Sequence, residues 1–134
     1  MKKYIAIVLL MTGIVSCKKD TLTKKDTYST IFYTIQTADS NLQVNLMRAV
    51  YTETTKGNIG KDTVLVNPGT YQIEAVVFNN VPVTLFAMSE ISPDFHLKIE
   101  SLSGTTFAET DTVTIYPANQ LHPVQYVSKL TATL

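Results

Sequence analysis

The chain has 134 residues, 11 Lys and Arg against 11 Asp and Glu, one cysteine and no tryptophan. That length accommodates one ordinary domain, and a single cysteine excludes an internal disulfide or a cysteine-based metal site. The zero net charge sums unlike parts, because residues 28–134 hold Arg48 and four Lys against nine acids, a net −4. Such a body lacks the clustered basic side chains that bind a phosphate backbone, so no nucleic acid is expected among its partners.

In chain order, Met1-Lys2-Lys3 is a short positive segment, and residues 4–15 form an apolar run broken only by Thr12 and Gly13. As a helix rising about 1.5 Å per residue, this run spans roughly 18 Å, short of the ~30 Å hydrocarbon core. It reads as the apolar region of a signal peptide over residues 1–16, not as a permanent membrane span.

The junction that follows, Ile14-Val15-Ser16-Cys17, resembles the bacterial lipobox. There an aliphatic residue, a small or β-branched residue and a small residue precede a cysteine. The resemblance implies a diacylglyceryl group on the Cys17 thiol and cleavage before Cys17, which leaves its new amine open to acylation. Acyl chains contribute about 0.8 kcal/mol per buried CH₂, so two or three anchor firmly where one does not. Lys18-Lys19-Asp20 is similar in part to the residues after the cysteine in lipoproteins of the Bacteroidota, where Lys followed by acids directs export to the cell surface. The resemblance implies the outer membrane and leaves the leaflet, periplasmic or surface, open.

Residues 17–27 contain KKDT twice, four Lys and two Asp, and show no amphipathic period. They read as a flexible, lipid-anchored tether. Residues 18–27 reach at most about 35 Å when stretched.

From Tyr28 the composition turns to Thr, Val, Ile, Tyr and Phe, residues suited to a pleated surface. Period-two alternation recurs in Ile31/Tyr33/Ile35, Leu42/Val44/Leu46, Tyr71/Ile73/Ala75/Val77, Val83/Leu85/Ala87, Phe95/Leu97/Ile99, Val113/Ile115 and Val124/Tyr126 onward. Parity changes to Met47, Ala49 and Tyr51, which predicts a bulge or strand end near Arg48. Residues 63–66 read as a short strand, and residues 56–62 (KGNIGKD) as the longest flexible loop. Residues 85–91 are the one stretch where a helix competes. Asn67-Pro68-Gly69-Thr70 suits a type II turn. Further reversals are expected at Asp39-Ser40-Asn41, Asn79-Asn80, Ser92-Pro93-Asp94, Ser103-Gly104 and Pro117-Ala118-Asn119. Pro82 and Pro123 place strand starts or edges.

Short strands with turns about every ten residues predict an all-β sandwich of about seven to eight strands over residues 28–134, immunoglobulin-like or transthyretin-like. The segment NPGTYQIEAVVFN resembles the strand entry of extracytoplasmic sandwich modules.

Few residues carry chemistry. His96 shares strand parity with Asp94 and Glu100, so three potential metal ligands are conceivable; the plainer expectation places Asp94 in its turn and His96 and Glu100 on a wet face. His122 has no acidic partner in sequence. Glu109 and Asp111 form a carboxylate pair of the kind glycoside hydrolysis uses. No phosphate loop, dinucleotide fingerprint or hydrolase motif is present, so neither a cofactor nor an enzymatic activity is expected, and no metal site is assigned. Sugar platforms stack on exposed aromatics, for which Tyr28, Tyr51, Tyr71, Tyr116 and Tyr126 are the candidates; Tyr71 and Tyr126 read as core, and Tyr51 and Tyr116 as freer. Five of the six Asp precede Ser or Thr. Asp20-Thr21-Leu22, Asp62-Thr63-Val64 and Asp111-Thr112-Val113 resemble the Asp-Ser/Thr-aliphatic sequon of Bacteroidota O-glycosylation, which implies Thr21, Thr63 and Thr112 as acceptors.

These readings lead to the expectation of a lipid-anchored envelope lipoprotein. Its sandwich acts as a non-catalytic interaction or structural accessory module at the outer membrane, with an envelope protein as partner. The alternative is a glycan-binding surface lipoprotein. A further one is a pilus-type subunit, because Bacteroidota pilins travel as lipoproteins and are cut after an Arg, and Arg48 is the only Arg of this chain.

Overall fold

The structure, a computed structural model, describes residues 28–51 and 56–134. The lipobox with Cys17, the tether with Thr21, and residues 52–55 lie outside the described residues.

Among the described residues nine strands form the body: β1 (Tyr28–Thr37), β2 (Leu42–Tyr51), β3 (Lys56–Leu65), β4 (Gly69–Phe78), β5 (Val83–Ser89), β6 (Phe95–Ser101), β7 (Thr106–Thr110), β8 (Thr114–Tyr116) and β9 (Gln125–Ala132). They make a four-stranded sheet in the order β4-β1-β6-β7 and a five-stranded sheet in the order β3-β2-β5-β9-β8. Every pairing is antiparallel. The fold is therefore the all-β sandwich expected, with nine strands where seven or eight were anticipated.

Alternation explains why the two sheets close on each other. Ile31, Tyr33 and Ile35 of β1 and Phe95, Leu97 and Ile99 of β6 point inward from one sheet. Leu42, Val44 and Leu46 of β2, Val83, Leu85 and Ala87 of β5 and Leu130 of β9 meet them from the other, and all are buried. Removing these side chains from water is the main favourable contribution to the fold. Tyr33 is the largest of the fully buried residues, and its hydroxyl donates to the Met47 carbonyl at 2.7 Å, joining the sheets.

Several expectations are corrected. Residues 56–62 are not a loop but most of β3, paired with β2 from Tyr51↔Lys56 to Leu42↔Leu65. An edge strand packed on one side tolerates glycine and polar residues. A Cβ on Gly60 would lie 2.5 Å from Asn45 Oδ1, so glycine leaves room for Asn45, whose amide donates to Asp62. The same ladder runs past Arg48 without a bulge. The parity change has another cause: β2 pairs with β5 only from Gln43 to Leu46. Beyond that point the β2–β3 ribbon folds over the sandwich edge toward β4. There Phe78 N–H donates to Asn58 Oδ1 at 2.9 Å, and Asn58 Nδ2 donates to the Phe78 carbonyl.

The bulge lies elsewhere, where the β6–β7 register slips between Ile99 and Glu100. Strand β7 was unforeseen, because TFAET has no alternating apolar face. Ile115 is 60% exposed on the edge strand β8, so Val113 and Ile115 do not form a core face. Residues 85–89 are strand throughout. At Asn67-Pro68-Gly69-Thr70 the chain does reverse, with Gly69 at φ +147°, where an L side chain is disfavoured. The Tyr71 hydroxyl closes this turn by donating to the Asn67 carbonyl at 2.6 Å, and it accepts the Asn67 N–H.

The register gives the sandwich two distinct ends. One holds the start of β1, the end of β2 with the start of β3, the Asn79-Asn80 turn, the β6–β7 hairpin and the end of β9. The other holds the connections β1–β2, β3–β4, β5–β6, β7–β8 and β8–β9.

Candidate functional site

The outward side of the β4-β1-β6-β7 sheet carries a set of charged side chains that pair with one another, because even-numbered positions of β1, β4 and β6 face away from the core. Near the second end, His96 of β6 lies between two carboxylates. Nε2 is 3.0 Å from Glu109 Oε1 of β7, and Nδ1 is 2.6 Å from Asp111 Oδ1 just beyond it. The imidazole is three-quarters covered, whereas Asp111 is 84% exposed. Beside this cluster Gln36, Thr37, Pro93 and Asp94 line an open surface groove. Through these two contacts the imidazole ties the end of β7 to β6.

The carboxylates that meet His96 are thus Glu109 and Asp111, not Asp94 and Glu100. Asp94 occupies its turn: its N–H donates to Ser92 Oγ at 3.1 Å, and its carbonyl accepts the Ala38 N–H. Glu100 lies further along β6 on the same outward face, as expected, but covered by its neighbours. Lys98, Thr34 (3.0 Å) and Gln72 (3.2 Å) cover and bond it. The bond from Lys98 leads the causes that hold the Glu100 carboxyl below the usual carboxylate range, and the same bond raises Lys98. Among the described residues, no three His, Asp or Glu side chains converge in a way that could hold a metal. Burial pushes the phenol of Tyr33 well above its ordinary range.

A second polar cluster was missed by the sequence reading. Asp39 and Ser89 are both buried where the β1–β2 and β5–β6 connections meet. The Ser89 hydroxyl donates to Asp39 Oδ2, and Ser89 Oγ accepts the N–H groups of Ile91 (3.0 Å) and Ser92 (3.1 Å). Asp39 Oδ1 accepts the Asn41 N–H, and the Asp39 N–H donates to Thr37 Oγ1 at 2.9 Å. The signal was available: Ser89 continues the inward parity of Val83, Leu85 and Ala87.

The other sequence-derived residues fall apart in space. Thr112 is exposed, with its main chain pinned by the Thr110 and Ser128 hydroxyls. Thr63 is half-buried in β3, on the side that faces Ile73 and Ala75 of β4. Arg48 is exposed midway along β2, opposite Ile59. Tyr116 is 52% exposed on β8, Tyr71 and Tyr126 are half-buried against the core, and the Tyr51 side chain lies outside the description. His122 lies in the β8–β9 connection, where its N–H donates to Asn119 Oδ1 at 2.9 Å. Comparison of the chain with protein-family models, curated proteins and solved structures found no match.

Proposed function

We propose that this chain is a lipid-anchored lipoprotein of the cell envelope whose β-sandwich serves as a non-catalytic interaction or structural accessory module at the outer membrane. The observation that carries the reading is Ile14-Val15-Ser16-Cys17: the single cysteine stands directly after the apolar run, where cleavage is expected. Residues 17–27 then tether the body to the bilayer, and an envelope protein is its partner. The outer sheet face fits a structural role: His96 meets Glu109 and Asp111, and the other polar side chains there bond one another across strands. In the glycan-binding alternative Tyr116 is the leading contact; Tyr28, the other exposed tyrosine described, lies on the opposite sheet. Of the proposed O-glycosylation sites, Thr112 is exposed and Thr63 is half-buried.

The test is Cys17→Ser in the native host, followed by membrane fractionation and detergent phase partition. The wild-type chain should enter the detergent phase and the variant the aqueous phase. A Cys17→Ser chain that still enters detergent would refute the anchor.

A further inference from the structure

The two ends of the sandwich differ in charge, and the tether joins only one of them. Tyr28 opens β1 and directly follows residues 17–27. At that end residues 28–30, 76–82, 101–107 and 131–134 contain no Asp, Glu, Lys or Arg, and the start of β3, which joins them there, adds Lys56. At the other end Glu90, Asp94, Glu109 and Asp111 are exposed.

The end that the tether joins also presents apolar side chains. Leu102, in the β6–β7 hairpin, is 67% exposed, and Phe107 of β7 is 40% exposed. Together with Ser29, Thr30, Ser101 and Ser103 they line an open depression beside the start of β1. The bulge accounts for Phe107. Ile99 faces Ala108 while Glu100 faces Thr106, so Phe107 has no cross-strand partner; a bulge re-aims the side chain it carries. Tyr28, packed against Phe78 with ring centroids 4.5 Å apart, and Val81 in the neighbouring turn extend the apolar surface.

We infer that this end of the sandwich rests on the phospholipid bilayer to which the chain is anchored, with Leu102 and Phe107 entering the interface between headgroups and acyl chains. The inference rests on the lipidation of Cys17. A tether that reaches at most about 35 Å keeps the end near the surface, and confinement raises the effective concentration for a contact too weak to hold a free protein. The four Lys of residues 17–27 are drawn to anionic headgroups, whereas the acidic end is repelled by them. Exposure alone does not choose the end, since Ile91 and Leu121 are exposed at the acidic one. Charge and the point of attachment do.

The absence of tryptophan makes the test direct, because each introduced tryptophan is the only one. Acylated full-length Leu102→Trp, Phe107→Trp and Leu121→Trp are reconstituted into phosphatidylethanolamine–phosphatidylglycerol vesicles with brominated acyl chains. All three positions are exposed, and far-UV circular dichroism checks that each variant folds. The emission of Leu102→Trp and Phe107→Trp should shift to the blue and lose most of its intensity, while Leu121→Trp stays as in buffer. Vesicles that carry the protein on flotation but leave all three spectra alike would overturn the inference and keep the lipoprotein reading. Quenching of Leu121→Trp alone would overturn it too. Failure of the wild-type chain to float would overturn the anchor and the inference together.

Discussion

Removing the Ser89 hydroxyl should cost more than its size implies. Ser89 is 1% exposed and Asp39 3% exposed, so neither group has water to replace a lost partner. Ser89→Ala deletes the donor to Asp39 and the acceptor for the Ile91 and Ser92 amides. A hydrogen bond to a carboxylate is worth about 1.5–3 kcal/mol and a stranded buried polar group costs about 1–3 kcal/mol, so we expect a loss of about 2–3 kcal/mol. For a body of this size that is a fall in Tm of roughly 10 °C. Asp39→Ala removes the same bond and the one from Asn41, and should cost about as much. Because the variants share a bond, the double variant should fall short of their sum by about 1–2 kcal/mol. Urea unfolding of the four chains in a Cys17→Ser background, followed by far-UV circular dichroism, measures the cycle. Strict additivity, or single losses below about 0.5 kcal/mol, would show that the pair does not lock the two connections together.

Other substitutions separate core from periphery. Ile99→Ala, at a fully buried position, should destabilise by about 3–4 kcal/mol and Ile73→Ala, half-buried, by about 1–2 kcal/mol; equal losses in urea unfolding would contradict the packing. The lowered carboxyl of Glu100 stabilises the fold above the unfolded carboxylate pKa of about 4.3, and that contribution is lost as pH falls through its folded value. Raised Lys98 contributes below about pH 10.4, and its share fades as pH rises through the folded value. Urea midpoints of Glu100→Gln should therefore show a shallower decline in acid than the parent; parallel curves would refute the pairing. On the O-glycosylation proposal, Thr112→Val lowers the intact mass by one glycan while Asp39→Asn leaves it unchanged, and identical glycan content in Thr112→Val would remove Thr112 as an acceptor.

The fold was largely legible because apolar side chains on inner strands record burial at period two. Ile31/Tyr33/Ile35 and Phe95/Leu97/Ile99 pack on one face and need no further context. Edge strands carry no such record. KGNIGKD became β3 because the apolar β2 offers it a ladder, and TFAET became β7 beside β6 for the same reason. Charge pairing was less legible than burial. Strand parity offers Asp94 and Glu100 as companions of His96, yet its partners are Glu109 of the neighbouring strand and Asp111 just beyond it. Sequence distance along one strand does not show what lies across a hairpin, and the bulge shifts that register.

The central claim concerns Cys17, and the mass of the N-terminal peptide tests it most directly. The chain is purified from membranes of its native host, digested, and its first peptide analysed by mass spectrometry. The account predicts a peptide that begins at Cys17 and carries a thioether-linked diacylglyceryl group. A peptide that retains residues 1–16, or a free Cys17 thiol in a chain cut elsewhere, would contradict it.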